Sequence, residues 1–292
     1  MTATQHAKKD ATADLEDRFI SRLLDDIRHK RIGLPTLPEV AIRVRKAASA
    51  PNVTAAQLAQ LVGTDPVLSA RLLQVANSPL YRGNKSILNI QTAIARLGNT
   101  LVRNLITSVV VSQLFQAQVP SAIKHRLKTT WAHTIQVAAI SHVLAHKFTR
   151  LMPEQAMLAG LIHDIGKLPI LMQLEMFPGL LENEQTVDRL VTLLHPQIGK
   201  VILEAWNFPP EMVAVAAEHE NLARNPGPQA DYVDVVLMAN LYSHIGTSHH
   251  FGIAEWPSIP ACGKLGLTAE QCLITLNDAQ AEVMEIQKLL TA

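Results

Sequence analysis

Cysteine is almost missing from this chain: Cys262 and Cys272 are the two in 292 residues. That excludes a disulfide framework and reads as a protein of a reducing compartment. Charge of either sign is scarce, and 26 basic against 25 acidic residues leave a formal net charge of +1. No basic field exists to draw in a polyanion, which argues against nucleic acid as a partner. The opening segment, MTATQHAKKDATADLEDRF, lacks the apolar core of a secretory signal. No run approaches the roughly 20 apolar residues of a membrane span. These absences predict a cytoplasmic protein without membrane insertion. Alternating strand patterns and internal repeats are missing too, so an all-α fold is expected.

What the chain does have is apolar material, 48% of its residues, enough for a sizeable core. Residues 1–13 are polar and read as a loose tail. Phe19, Leu23 and Ile27 then recur at four-residue spacing, an amphipathic helix reaching about Arg31. After the break at Leu34-Pro35-Thr36-Leu37-Pro38, helical periodicity returns at Val40, Ile42 and Val44. Asn52 to Thr54 opens a further helix that stops at Gly63. Asp65-Pro66 pairs an N-cap with a proline suited to the first helical position, and that helix ends near Asn77-Ser78-Pro79. Helices follow over IQTAIARLG to Gly98, over 100–115 and, from Pro120, over 121–148. Pro153 begins one that ends at His163-Asp164, with others at 167–177, 185–194, 196–206, 210–219 and 231–246. A Pro/Gly/Asn-rich loop spans 224–230, 250–266 reads as irregular, and 268–291 as a terminal helical pair. The expected organisation is a tail and first helix at 1–30, an N-terminal helical lobe at 31–118, a second helical lobe at 119–248 and a C-terminal segment at 249–292.

The pentad His163-Asp164-Ile165-Gly166-Lys167 sits inside the apolar stretch LAGLIHDIGKLPIL. Adjacent His and Asp can serve one metal ion only at a helix end, where Gly166 would supply the departure of the backbone, and Ala159 and Gly160 would leave space above His163. His133 lies on a stripe with Val137, Ile140 and Leu144. Asn240 lies on a stripe with Val233, Val236 and Leu237. His195 begins a helix at His195-Pro196, and His219 ends one at His219-Glu220. Histidine, carboxylate and amide donors from several helices suit a divalent Zn, Fe, Mn or Ni ion. Each has a plainer reading as well: a satisfied core histidine, a helix entry, a cation at a helix C-terminus, a buried amide.

The order of these residues resembles the HD superfamily of metal-dependent phosphohydrolases. HDIGK, then HPQIG, then HE, is similar to the HD-GYP branch and to its relative the HDOD domain, the HD-related output domain. LPTLPEV at 34–40, DPVLSARLLQVANSPLY at 65–81 and IQTAIARLG at 90–98 resemble HDOD signatures. The likeness covers roughly 30–245 and implies a two-lobed helical HDOD fold, with an N-terminal lobe packed on an HD-like lobe. It further implies metal positions at His133, His163, Asp164 and Asn240, second-metal positions at His195 and His219, and Lys167 as a phosphate-facing cation. The chain departs from the superfamily in two places. The last ligand there is Asp, and here it is Asn240; the Gly-Tyr-Pro motif of cyclic-di-GMP hydrolases is absent after His219-Glu220.

The resemblance therefore implies a bacterial signal-transduction protein without robust catalysis, acting in trans on signalling proteins of two-component or cyclic-di-nucleotide pathways, with no receiver or cyclase domain attached. A metal-dependent phosphohydrolase and a nucleotide-sensing module are the alternatives. Arg71, Asn77, Tyr81 and Arg82 are the candidate partner-docking residues, with an internal brace as the competing role. Lys8-Lys9 reads as a solvated tail, Arg28-His29-Lys30-Arg31 as charge at a helix C-terminus, and His249-His250, near His244, as a polar loop. Residues 268–291 would pack back on the body, with a homodimer as the second option.

Overall fold

The computed structural model describes residues 3–29, 38–50, 52–115, 119, 121–245 and 256–291. Among these there is no strand, and the fold is all-α as expected. Residues 34–37 of the LPTLPEV motif, Lys30-Arg31, Pro120 and His249-His250 lie outside the described residues.

The N-terminal lobe holds α2 (Glu39–Ala48), α3 (Ala55–Val62), α4 (Pro66–Ala76) and α5 (Ile90–Phe115). Its helix starts are written locally. Thr54 and Gln57 form a reciprocal capping box on α3, and the Asp65 carboxylate accepts from the backbone N–H groups of Val67 and Leu68 at the start of α4. Gly98 interrupts α5 with φ 78° and ψ 158°, a left-handed-side conformation that glycine alone adopts at little cost. In α2 it is Ala41 and Val44 that are buried, while Ile42, expected on the inner stripe, is 48% exposed.

The second lobe is built on α6 (Ser121–Phe148), α7 (Pro153–Ile162), α8 (Lys167–Leu174), α9 (Pro178–Leu181), α10 (Glu184–Ala205), α11 (Pro210–Glu218) and α12 (Tyr232–Ser243). α7 lies directly on α6, and a Cβ at Gly160 would sit 2.6 Å from Ala138 Cα. The room at Gly160, expected above His163, is thus filled by the α6 backbone. α7 also touches α5, which joins the lobes through one continuous core.

Two helix expectations are corrected. Residues 185–194 and 196–206 are one helix, α10, with Pro196 inside it, so His195 does not begin a helix. The turn survives because Pro196 removes a single backbone donor while one face of α10, with Leu194, His195, Ile198 and Ile202, is buried against its neighbours. Residues 3–13, expected as a loose tail, continue α1 (Ala3–Arg28), a stretch rich in alanine and lysine, both good helix formers. α1 docks on α8 and α9 of the second lobe, with Phe19 edge-on to Phe177 at 5.4 Å between ring centroids.

Residues 256–266, expected as irregular, contain a 3-10 turn (Trp256–Ser258) and a short helix, α13 (Pro260–Lys264). α14 (Ala269–Asp278) and α15 (Gln280–Thr291) form the terminal pair, and α15 buries Ile286, Leu289 and Leu290 as it packs back along α6. One described stretch, Pro153–Leu174, is long and apolar enough to cross a membrane, contrary to the expectation from run length. It comprises α7 and α8, and 83% of its most apolar window is buried inside the molecule.

Candidate metal centre

The turn between α7 and α8 carries His163 and Asp164, both buried. Gly166 does not supply the departure of the backbone, because its angles are helical (φ −66°, ψ −22°). Its task is close approach: a Cβ there would lie 2.1 Å from the His195 carbonyl oxygen and 2.6 Å from the Gly199 nitrogen. Gly166 and Gly199 let the turn press against the middle of α10 and bring His195 alongside Asp164.

Four imidazoles gather around the Asp164 carboxylate. His163 Nε2 lies 3.3 Å and His133 Nε2 3.8 Å from Oδ2, while His195 Nε2 and His219 Nε2 lie 3.5 Å and 3.6 Å from Oδ1. They fall into two triads sharing Asp164, one with His133 and His163, the other with His195 and His219, each with ligand-type atoms within 4.8 Å of one another. The His195 and His219 Nε2 atoms are 3.3 Å apart.

The other ring nitrogens settle the tautomers. His163 Nδ1 lies 2.7 Å from the Gly160 carbonyl, His195 Nδ1 2.9 Å from that of Val191, and His219 Nδ1 3.0 Å from that of Val215. A carbonyl only accepts, so each Nδ1 donates and each Nε2 keeps its lone pair in the neutral ring. Burial keeps His195 neutral, pushing its pKa down to about 3, and burial likewise holds His133 well below the usual range despite the nearby Asp164 charge. Burial alone would raise Asp164. The surrounding His163 imidazole and the Lys167 ammonium outweigh it and hold the carboxyl ionised well below its ordinary range. Bare nitrogen lone pairs thus face one another and a carboxylate in a buried site, an arrangement that a cation would stabilise.

Three buried polar atoms here have no partner: His163 Nε2, Asp164 Oδ1 and Asn240 Oδ1. The donor set fits a divalent metal on that ground. Asn240 comes from α12 and lines the same pocket as His133 and Lys167, about 680 Å³ in volume. Lys167, expected to face phosphate, places its Nζ 2.6 Å from Asp164 Oδ2. Every candidate metal position of the sequence reading therefore reaches this centre or its pocket.

Two neighbours were not among the expected site residues. Glu220 Oε1 lies 3.6 Å from His195 Nε2; the signal for it was the dipeptide His219-Glu220. His244, read as part of a polar loop, caps the C-terminus of α12 and sets its ring 5.0 Å from that of His133 at the pocket mouth.

The docking candidates divide. Asn77 is an internal brace: its Nδ2 donates to the Leu73 and Ile87 carbonyls and its Oδ1 accepts from the Ile87 N–H. Tyr81 is half-buried, with its hydroxyl shielded from solvent and its pKa raised by burial. Arg82 is exposed, and Arg71 is half-buried with its Nη1 donating to Gln74 Oε1 at 2.8 Å.

The model of the HDOD domain family matches residues 34–222. A crystal structure of a candidate metal-dependent phosphohydrolase from Shewanella amazonensis is similar, with TM-score 0.79 and 27% identity over 95% of this chain and 99% of that one. An HDOD domain protein of unknown function from Geobacter sulfurreducens shares the fold, with TM-score 0.68 and 24% identity over 93% and 98%. An uncharacterised protein of Treponema pallidum is 24% identical over 235 residues, 76% of this chain. The chain spans 44% of the length of that relative.

Proposed function

The chain belongs to the HDOD family, and from that premise we propose that it is a regulatory signal-transduction protein whose HD-type centre holds one divalent metal ion. The observation that carries this is the set of bare Nε2 atoms on His163, His195 and His219 crowding the Asp164 carboxylate, each ring anchored through Nδ1 to a backbone carbonyl. His195, His219 and Asp164 Oδ1 are the favoured ligands, because Oδ1 has no partner. Oδ2 is already paired with the Lys167 ammonium, so an ion held by His133 and His163 would compete with that charge.

Charge argues for regulation over turnover. The carboxylates at the centre are Asp164 and, at its rim, Glu220. Two divalent ions beside Lys167 would leave the site strongly positive, whereas one comes close to balance. Asn240, an amide where the superfamily has a carboxylate, removes the charge that a second ion needs. Regulation then runs through partner proteins in trans, with the exposed Arg82 and the outer face of α4 at Arg71 as the docking edge.

Elemental mass spectrometry on protein purified without an affinity tag tests the centre. Near-stoichiometric Fe, Mn, Ni or Zn, lost in His195→Ala, is the expected result. Folded, metal-free protein that takes up no ion on dialysis would overturn it.

A second reading, phosphoester hydrolysis, has its own observation: the pocket of about 680 Å³ opens over the centre and carries Lys167. When bound, a divalent ion supplies a Lewis acid for a phosphoryl group. The chain's own part would be to hold a phosphate against Lys167 and to keep Asp164 ionised. Manganese-dependent cleavage of a bis-aryl phosphodiester, abolished by His163→Ala, would establish this reading; activity undiminished in that variant would remove it.

A further inference from the structure

A second polar cavity lies at the junction of the two lobes, away from the metal-type cluster. It measures about 70 Å³ and is walled by α2, α5, α7 and the α10–α11 turn. Arg45 and Arg103 both line it, together with Ser49, Gln155, Asn207 and Phe208. Water needs roughly 10–15 Å³ of such space, so the cavity has room for a compact tetrahedral oxyanion.

Two guanidinium groups share this wall, and Glu211 acts on Arg103 only from beyond ion-pair distance. Neither has an ion pair among the described residues. Arg45 donates from Nη2 to the Trp206 carbonyl and stacks its guanidinium 4.5 Å from the centre of the Phe208 ring, while its Nη1 is shielded from solvent and has no partner. Arg103 donates from Nη2 to Gln155 Oε1 at 3.1 Å and reaches Ser49 Oγ at 3.5 Å. Their neutral contacts hold the two groups in place; Glu211 offsets part of the Arg103 charge, while burial and Arg103 act on Arg45 without a carboxylate to oppose them. Burial lowers the pKa of Arg45, and the neighbouring Arg103 charge lowers it further, so the crowding is electrostatically costly. The α10–α11 turn closes the cavity through Asn207, whose φ of 53° is a conformation that asparagine tolerates better than most residues.

We propose that the Arg45–Arg103 cavity is a phosphate-binding site, taking inorganic phosphate or the terminal group of a phosphomonoester and fastening the two lobes to each other. Arginine in pairs suits this ligand because each fork donates two parallel hydrogen bonds to phosphate oxygens. The ligand also neutralises a like-charge pair that α2 and α5 of the N-terminal lobe place against the second lobe. The site does not depend on the metal centre and stands or falls separately from it.

The test is calorimetric titration of the full chain with inorganic phosphate in a chelator-treated buffer of constant ionic strength, alongside the thermal midpoint. Binding at one site with a raised midpoint is expected, and affinity falls about tenfold or more in Arg45→Gln and in Arg103→Gln. Lys167→Gln keeps the response, which separates this site from phosphate held at Lys167. Ser49→Asp, which brings a carboxylate to Arg103, abolishes phosphate binding while leaving the midpoint without phosphate unchanged or higher; it covers the case in which an arginine variant fails to fold. A parallel titration with ribose 5-phosphate separates the sources: binding as tight as phosphate or tighter identifies an ester end group, and binding of phosphate alone identifies the free ion. No binding by the parent chain, or equal binding by both arginine variants, would overturn the proposal.

Discussion

Asn240 differs from an aspartate by one oxygen and one unit of charge, and its Oδ1 is buried without a partner. An amide oxygen is a serviceable but neutral ligand, so it adds a dipole where a carboxylate would add a full charge. Asn240→Asp should therefore tighten binding of a second ion, on the His133 and His163 side of the pocket, by at least about tenfold, since even at a screened effective dielectric a nearby charge is worth a few kcal/mol. Competition against a metal-chelating dye measures it, and unchanged affinity would mean that Asn240 lies outside the coordination sphere. Gly166 is limiting for a different reason. Its missing Cβ leaves the space in which the His195 carbonyl sits, and backbone cannot yield as a flexible side chain can. Gly166→Ala should cost about 3 kcal/mol or more and misplace Asp164 relative to α10. Chemical denaturation would read the first effect and metal content the second.

Among the elements, α15 shows how a terminal helix is held. It covers α6 with Ile286, Leu289 and Leu290, and its Glu282 Oε1 sits 3.7 Å from the buried Nδ1 of His142. Burial pushes His142 down to about 4, with Glu282 acting upward and His146 downward. The unfolded chain, near the ordinary value of 6.5, takes up this proton first. Stability is therefore fully present above about pH 6.5 and drains away as pH falls toward 4, by about 3 kcal/mol at most for this one group. His142→Leu should flatten the loss over that window in denaturation curves; an identical slope would remove His142 from the account. The kink of α5 rests on Gly98, whose φ of 78° would strain any other residue. No atom lies within 4 Å of a Cβ there, so Gly98→Ala carries the backbone strain alone, about 1–3 kcal/mol, and thermal melting would register it.

For the whole molecule, the ligand-type side chains come from α6, the α7–α8 turn, α10 and α11, with α12 adding Asn240. The ion held by Asp164, His195 and His219 ties three segments of one lobe together, the α7–α8 turn, α10 and the end of α11. Native-state binding raises stability by mass action, by about 2.7 kcal/mol at a free ion concentration a hundred times the dissociation constant. Adding the cognate divalent ion should raise the thermal midpoint and a chelator should lower it, with neither effect in His195→Ala. A midpoint indifferent to both would leave the centre as a hydrogen-bonded polar core. The apolar stretch Pro153–Leu174 belongs to the same picture: it is wrapped by α5, α6, α10 and α12 because it carries the centre of the fold.

Much of this was legible in the sequence because its signals are local. Thr54 and Asp65 mark helix starts by side chains that cap their own backbones, Gly98 marks a kink by the conformation it permits, and the pentad at 163–167 marks a helix end bearing two ligand types. Phe19 and Leu23 announced their burial by spacing alone. Other features depended on what lies opposite in space. Pro196 reads as a helix start until α10, with one face buried against its neighbours, is seen to run through it. Asn77 reads as a surface residue until Ile87 is found at both ends of its amide. His244 joined the centre, and Arg45 met Arg103, only through the packing of helices distant in sequence. A chain's own periodicity sets which face of a helix is apolar, so family, helical class and ligand types were determined by sequence. Which nitrogen meets which carboxylate is set by contacts between helices, and that was decided by the tertiary structure.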